Sequence, residues 1–455
     1  MGRRFLREAR LWLGVMACLS LAMAGALRLL APPRPPDPFP PAPPLPGEAA
    51  WLFADGAAPD GGPPDGGPPD LDDARGQAVL LDFWSLGCIH SERGERTVRA
   101  LEEAFRGAPV RFLSVHTPLF ERGRTAEAAL HAAARLSLRR PVLLDPLLPD
   151  GEGEERSAAA QFAARKAYRV TQWPTRVLVD PEGRIAGSWA GEGNGAEIAA
   201  AIRGVLEGYE GASGPSAAGG PPLPARPADR LAYPEAVLAD AKGGRLFISD
   251  TGHDRVLLCD LAGKVRAAFG GGEPGHRDGP ASEARFRTPR GLALHGGVLY
   301  VADAGNDSVR AVDLATGVVR TAAGGPPPDP LMEDPLAHDP SARLRSPAAL
   351  AVGGEGAPAA IFVADAGGHR IRRLDPKGLD PATGACAAFA GSGLVGRADG
   401  IRARASFAHP AALCAGEGGR LYVADALSGA IRAVAVAEGG LVETVAGGDV
   451  LAHGD

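Results

Sequence analysis

The stretch DFWSLGCIHS (residues 82–91) gathers a thiol, an imidazole and a hydroxyl, Cys88, His90 and Ser91, with the carboxyl of Asp82 six positions before the cysteine. Those types in that order suit thiol–disulfide chemistry. A thiol at the start of a helix faces unpaired N–H groups and the positive end of the dipole, which can lower its pKa below about 8.5. His90 would add positive charge when protonated. The other cysteines, Cys18, Cys259, Cys386 and Cys414, are scattered, and no two of the five form a C-x-x-C pair. That spacing excludes a zinc knuckle, an iron–sulfur cluster and a disulfide-dense scaffold. No metal ligand set and no cofactor motif is found.

The elements that must position these side chains are legible in the hydrophobic pattern. AVLLDFW (78–84), VRFLSV (110–115), PVLLD (141–145), TRVLVD (175–180) and RIAGSW (184–189) read as strands. ERTVRALEEAF (95–105), TAEAALHAAARLSL (125–138), RSAAAQFAARKAY (156–168) and GAEIAAAIRGVLEGY (195–209) carry apolar residues at helical spacing. Strands alternating with helices imply an α/β sandwich built on βαβ units.

DFWSLGCIHS resembles the thioredoxin active-site motif D-F-W-x-x-x-C-x-x-C, and WPT (173–175) ahead of an apolar strand resembles its cis-proline segment. The resemblance implies Cys88 as nucleophile, Pro174 as the cis-proline and Asp82 as the buried acid. It puts Ser91 where the resolving cysteine stands. Without a second thiol Cys88 cannot release a mixed disulfide within the chain, so dithiol turnover is disfavoured. Two readings follow: a thioredoxin fold kept as a rigid platform, with Cys88 a leftover and Asp82 a hydrogen-bonded core acid, or monothiol redox and thiol-capture chemistry.

Beyond a Gly/Pro/Ser linker at 211–229 the chain repeats. GRLFISDTGHDRVLLCD (244–260), GVLYVADAGNDSVRAVD (297–313), AIFVADAGGHRIRRLD (360–375) and GRLYVADALSGAIRAVA (419–435) share one pattern: a β-run, Ala/Ser-Asp, a polar turn and a second β-run. Its aspartate recurs as Asp250, Asp303, Asp365 and Asp425, at spacings of 53, 62 and 60. A proline heads a further apolar run in each unit: Pro234, Pro289, Pro347 and Pro410. Such periods point to propeller blades, here about 230–268, 287–323, 345–390 and 408–447. The recurring aspartate most simply caps the turn between strands. Arg255 and Arg370 share a blade position that Ser308 and Ala430 fill elsewhere, and the histidines show no repeated ligand spacing.

The units resemble NHL repeats, and the connectors at 270–289 and 391–410 carry R-D-G or R-x-D-G. A thioredoxin-like domain followed by an NHL propeller resembles the architecture of the NHL repeat-containing protein 2-like family over residues 50–455. That resemblance implies six blades, of which four are visible, and the final VAGGDVLAHGD (445–455) aligns with the connectors. An open arc with the 419–445 blade unpaired on one face is expected.

At the N-terminus Arg3, Arg4, Arg7 and Arg10 precede an uncharged run from Leu11 to Leu27, which Leu29, Leu30 and Ala31 can extend. Residues 1–31 read as a signal-anchor holding the remainder outside the cytoplasm, membrane contact running through 11–30. A cleaved signal ending near Ala22-Met23-Ala24, an organellar transit peptide and a lipobox at Cys18 are the alternatives. Residues 32–47 form a Pro-rich spacer, 48–210 the thioredoxin-like domain and 230–455 the propeller.

Composition narrows the function. The 455 residues carry a net charge of −6 and no basic block beyond the first ten, which leaves no electrostatic footprint for nucleic acid. Gly and Pro number 63 and 42 without a G-X-Y period, so the chain is not collagen-like. A hydrolase or lyase site on the propeller lacks any catalytic constellation, and no small-molecule ligand is identified. The leading reading is a membrane-tethered or secreted scaffold whose propeller loops bind protein partners; the alternative is a monothiol oxidoreductase or thiol-capture factor whose propeller selects clients.

Overall fold

AVLLDFW is buried at every position, as a strand covered on both faces must be, and it is the third strand from one edge of a six-stranded sheet. The computed structural model describes residues 40–46, 50–52, 71–86, 88–118, 124–136, 138, 140–147, 162–209, 230–271, 273–327, 329–331, 343–353, 359–376 and 386–447. Contacts divide the chain after Ala42, and every element named below lies in the unit Pro43–Asp455.

The first sheet contains β1 (Ala50–Leu52), β2 (Ala78–Trp84), β3 (Val110–His116), β4 (Val142–Leu144), β5 (Thr175–Val179) and β6 (Ile185–Ala190), in the order β1-β4-β3-β2-β5-β6. β2, β3 and β4 run parallel, whereas β5, β6 and β1 pair antiparallel with their neighbours. The helices are α1 (Ile89–Ala104), α2 (Ala126–Arg135), α3 (Ala163–Ala167) and α4 (Gly195–Glu207). Leu101 and Phe105 from α1 and its end pack with Ile198 and Ile202 of α4 over Leu80 and Leu178. This is the thioredoxin-like α/β fold. Strand β1 has no counterpart in the sequence reading, and α1 begins at Ile89 rather than near residue 95. Of the expected helix at 156–168, only α3 falls within the described residues.

Four antiparallel sheets follow. The first blade is β7 (Ala236–Asp240), β8 (Arg245–Asp250), β9 (Arg255–Asp260) and β10 (Val265–Phe269). The second is β12 (Pro289–His295), β13 (Val298–Asp303), β14 (Ser308–Asp313) and β15 (Val318–Gly324), with the connector strand β11 (Gly279–Pro280) added at its outer edge. The third is β16 (Pro347–Gly353), β17 (Ala360–Asp365), β18 (Arg370–Leu374) and β19 (Ala387–Ala390). The fourth is β21 (Pro410–Gly416), β22 (Arg420–Asp425), β23 (Ala430–Ala435) and β24 (Leu441–Ala446), again with a connector strand, β20 (Gly400–Ile401).

Apolar clusters fill the gaps between successive blades. Phe247, Phe286, Leu292 and Val301 join the first to the second; Tyr300, Val309, Ile361 and Val363 the second to the third; Phe362, Ile371, Phe407 and Leu421 the third to the fourth. At about 25 cal/mol per Å² these inter-blade faces supply the main cohesion of a repeat array. Strands β7, β12, β16 and β21 pack in that succession, with no packing of comparable extent between β21 and β7 among the described residues. The four blades form an open arc, with Ile431, Leu441 and Val445 exposed on the fourth and Val237 and Val265 on the first.

Residues 1–31 and most of the Pro-rich spacer lie outside the described residues, as does the segment 448–455. Among the described residues no helix is long and apolar enough to cross a membrane. From the spacer, the Pro43 carbonyl accepts a hydrogen bond from the Tyr168 hydroxyl at 2.5 Å.

Candidate functional site

Cys88 occupies the N-cap of α1, with φ −89° and ψ 109°, and its carbonyl accepts the helical bond from Glu92 N–H at 3.1 Å. Its side chain makes no capping bond. Sγ lies 3.9 Å from the Trp173 carbonyl oxygen, and the Trp173–Pro174 peptide bond is cis. The thiol is half-buried and unpaired. Gly94, six residues further along, permits this approach, because a Cβ there would lie 2.9 Å from Pro174 Cγ and against the Arg176 guanidinium. Cys88 and Pro174 therefore meet, although 86 positions separate them in the sequence.

The other motif residues are directed elsewhere. Ser91 is buried, and its Oγ accepts a hydrogen bond from Ser85 N–H at 3.2 Å. Asp82 is buried between two arginines, 3.0 Å from Arg176 Nε and 3.1 Å from Arg140 Nη2. Arg140 also binds Glu95, which it and Arg99 hold below the ordinary carboxylate range against the cost of burial. Both oxygens of Asp82 are thus engaged in a buried ion network, an arrangement that stiffens the sheet–helix junction. His90 Nδ1 lies 2.6 Å from Glu192 Oε1, and Arg93 approaches the same carboxylate at 3.2 Å. These two partners keep Glu192 below its usual range despite its burial.

Helix α1 rests on the propeller's loop face. Arg290, on β12, bridges Glu92 of α1 and Glu235 before β7, each at 3.0 Å. Arg93 donates to the Gly367 carbonyl at 3.3 Å, and the His90 and His369 rings stand 6.3 Å apart. Leu331, in the loop after β15, packs against the core formed by Leu80, Leu101 and Ile198. The thiol-bearing helix is consequently part of a junction between the two folds.

The repeated residues have a different task from the turn-capping expected of them. Oδ1 of Asp250, Asp303, Asp365 and Asp425 accepts a backbone N–H from the segment leading into the blade: Ala232 at 2.7 Å, Arg287 at 2.7 Å, Arg345 at 2.6 Å and Ala408 at 2.8 Å. Oδ2 receives an arginine, half-buried Arg255 at 2.7 Å in the first blade and buried Arg310 at 2.9 Å, Arg372 at 2.6 Å and Arg432 at 3.4 Å in the others. The connector aspartates Asp278 and Asp399 bind the far side of Arg310 and Arg432 at 2.5 and 2.6 Å, which explains the R-D-G and R-x-D-G loops. Burial lifts Asp303 to about 6 even beside Arg310.

A second ladder ties each blade to the next. Four residues after the repeated aspartate, Asp254, Asp307 and His369 adopt left-handed backbone conformations, with φ near 50°. Their side chains accept an N–H from the following blade: Thr288 at 2.7 Å, Ser346 at 2.8 Å and His409 at 3.3 Å. Gly429 fills the place in the fourth blade. Sequence reading missed Glu192, Arg290 and His369, although the Asp/Asp/His/Gly series was available from the repeat register. Among the described residues no group of three His, Cys, Asp or Glu side chains could hold a metal ion.

No protein-family model matches the chain. It is 28% identical to NHL repeat-containing protein 2 of Bos taurus over 396 residues, covering 82% of this chain and 52% of that protein. It is 28% identical to Protein SUPPRESSOR OF QUENCHING 1, chloroplastic, of Arabidopsis thaliana over 391 residues, covering 83% and 35% respectively. The chain thus spans about half the length, or less, of the curated relatives it matches. Among solved structures, the thioredoxin-like superfamily protein SPOA0173 aligns with 36% of this chain and 96% of its own, at 21% identity and a TM-score of 0.30. In sequence, in repeat pattern and in the order of a thioredoxin-like domain before an NHL-type propeller, the chain resembles NHL repeat-containing protein 2.

Proposed function

We propose that the chain is a binding scaffold, exported or membrane-tethered through residues 11–30, in which a thioredoxin-like platform and an NHL-type propeller present a joint surface to protein partners. The observation that carries this reading is the docking of α1 on the propeller: Glu92 and Arg93 are spent on Arg290 and on the Gly367 carbonyl, next to Cys88. A helix whose side chains hold two folds together is a positioning element first. Ser91, buried and bonded to Ser85 N–H, supports the same reading, since the place of a resolving thiol is used structurally.

A second reading is favoured by one observation, the approach of Cys88 Sγ to the Trp173 carbonyl beside cis-Pro174. Here the Cys88 thiolate would attack a client disulfide, forming a mixed disulfide and releasing one client thiolate; a second, external thiol would then free Cys88. The two readings separate in one capture experiment with the full chain, comparing wild type and Cys88→Ser with and without reductant. Partners held equally by both proteins under reducing conditions support the scaffold. Partners that vanish with Cys88→Ser or with reductant, and run as mixed disulfides on non-reducing gels, overturn it in favour of thiol capture.

A further inference from the structure

Three histidines from three elements meet where α1 crosses the loops of the third and fourth blades. His90, in the first turn of α1, stands 6.3 Å, ring to ring, from His369, which ends the turn after β17. His369 Nδ1 accepts the backbone N–H of His409, just ahead of β21, at 3.3 Å. The His369 ring is buried, and His409 Nδ1 is buried with no hydrogen-bond partner among the described residues.

The groups that face these two rings are mostly cationic. His369 faces His90 and Arg93 of α1, His409 of the fourth blade and Glu192 from the loop after β6. His409 faces Arg290 of β12, Glu92 and His90 of α1 and the Ala366 carbonyl. Both carboxylates are already engaged, Glu192 by His90 and Arg93 and Glu92 by Arg290. Burial first, then the neighbouring cations, pushes both rings down to about 4.

On this side α1 is joined to the propeller by polar contacts: His90 against His369, Arg93 on the Gly367 carbonyl and Glu92 on Arg290. The contacts to either side of the cluster do not titrate. Leu331 packs into the platform core, and Gly195 at the head of α4 has no room for a Cβ against the Pro330 carbonyl. Phe362, Ile371, Phe407 and Leu421 join the third blade to the fourth through an apolar gap.

We propose that the histidine cluster is an acid-released latch: when His369 and His409 take up protons, α1 swings off the third and fourth blades about the Leu331 contact, carrying Cys88 with it, while the blades stay packed. A ring released into water titrates near about 6.5. The undocked state therefore binds protons that the docked state refuses, so docking is complete above that value and is lost as pH falls toward about 4. Each ring weakens docking by up to about tenfold per pH unit across that window. The latch asks nothing of the thiol's chemistry and stands under either reading of the function.

Hydroxyl-radical footprinting of the full chain at about pH 7.5 and about pH 4.5, one value on each side of the window, tests it by peptide mass spectrometry. At the lower pH His369 should pass from protected to labelled. Labelling of His90, normalised to free histidine at the same pH, should rise, while Phe362 and Phe407 stay protected. Replacing both propeller histidines, His369→Asn with His409→Asn, should leave normalised His90 labelling independent of pH; the wild-type footprint is decisive without that variant. Equal protection of His369 at the two pH values would overturn the latch. So would loss of protection at Phe362 and Phe407 along with His369, which is separation of the blades, or a His90 response that the double variant retains.

Discussion

Asparagine in place of His369 should make the junction between the third and fourth blades markedly less sensitive to acid. His369 is buried, and its Nδ1 must stay unprotonated to accept the His409 N–H. Burial, together with the positive charge of His90, His409 and Arg93 and opposed by Glu192, pushes its pKa down to about 4. In the unfolded chain the ring titrates near its ordinary value of about 6.5. Between those two values the unfolded state binds a proton that the folded state refuses, so stability is lost as pH falls through that window, at about 1.4 kcal/mol per pH unit. From about pH 7 to about pH 4.5 the loss from this one ring amounts to about 2.5 kcal/mol. Asparagine cannot titrate, tolerates the φ of 53° and can offer Oδ1 to the same N–H, as Asp254 and Asp307 do in the earlier blades. The assay is urea unfolding of both proteins at the two pH values, with stability taken from midpoint and slope. Carboxylates lifted by burial, such as Asp303 at about 6, change stability in the opposite sense, but they are common to both proteins and cancel in the difference. His409, also pushed down to about 4 by burial and by Arg290, is likewise common to both proteins. A wild-type-minus-variant difference that stays within about 0.5 kcal/mol across the range, against the 2.5 expected from linkage, would refute the reasoning.

Asp365→Asn should strand the buried Arg372 guanidinium and cost about 3–5 kcal/mol in thermal unfolding, and adding Arg372→Met should recover much of that loss; strictly additive losses would show that the pair is not coupled. Cys386, which burial pushes up to about 12, should resist iodoacetamide at about pH 8, where only about one thiol in 10⁴ is ionised. Exposed Cys414 should react quickly under the same conditions, and equal labelling of the two, read by peptide mass spectrometry, would sink the expectation.

Several features were legible before any coordinates. The five strand runs of the first domain and the β-runs around Asp250, Asp303, Asp365 and Asp425 were readable because apolar periodicity and turn residues act over a few positions. Other features were not. The segment from Ile89 to Gly94 carries too few apolar residues to signal the first turns of α1; that segment is helical because it docks on Pro174, Arg176 and the propeller. Arg310, Arg372 and Arg432 sit in runs where an arginine reads as the solvent side of a strand, yet all three are buried. Their burial depends on aspartates seven positions earlier and, for two of them, on connector aspartates more than thirty residues away.

By itself, the sequence determined the local grammar of this protein: where strands run and where each blade turns. Those are decided by periodicity, by left-handed turn residues and by caps, all of which act within one or two turns of chain. Only the tertiary structure decided what each charged group faces. It set Asp82 between Arg140 and Arg176, turned His90 toward Glu192 and closed α1 onto the propeller through Arg290. Charge burial is a pairwise matter with large desolvation costs, and its outcome rests on partners that the chain brings together from tens to hundreds of residues apart.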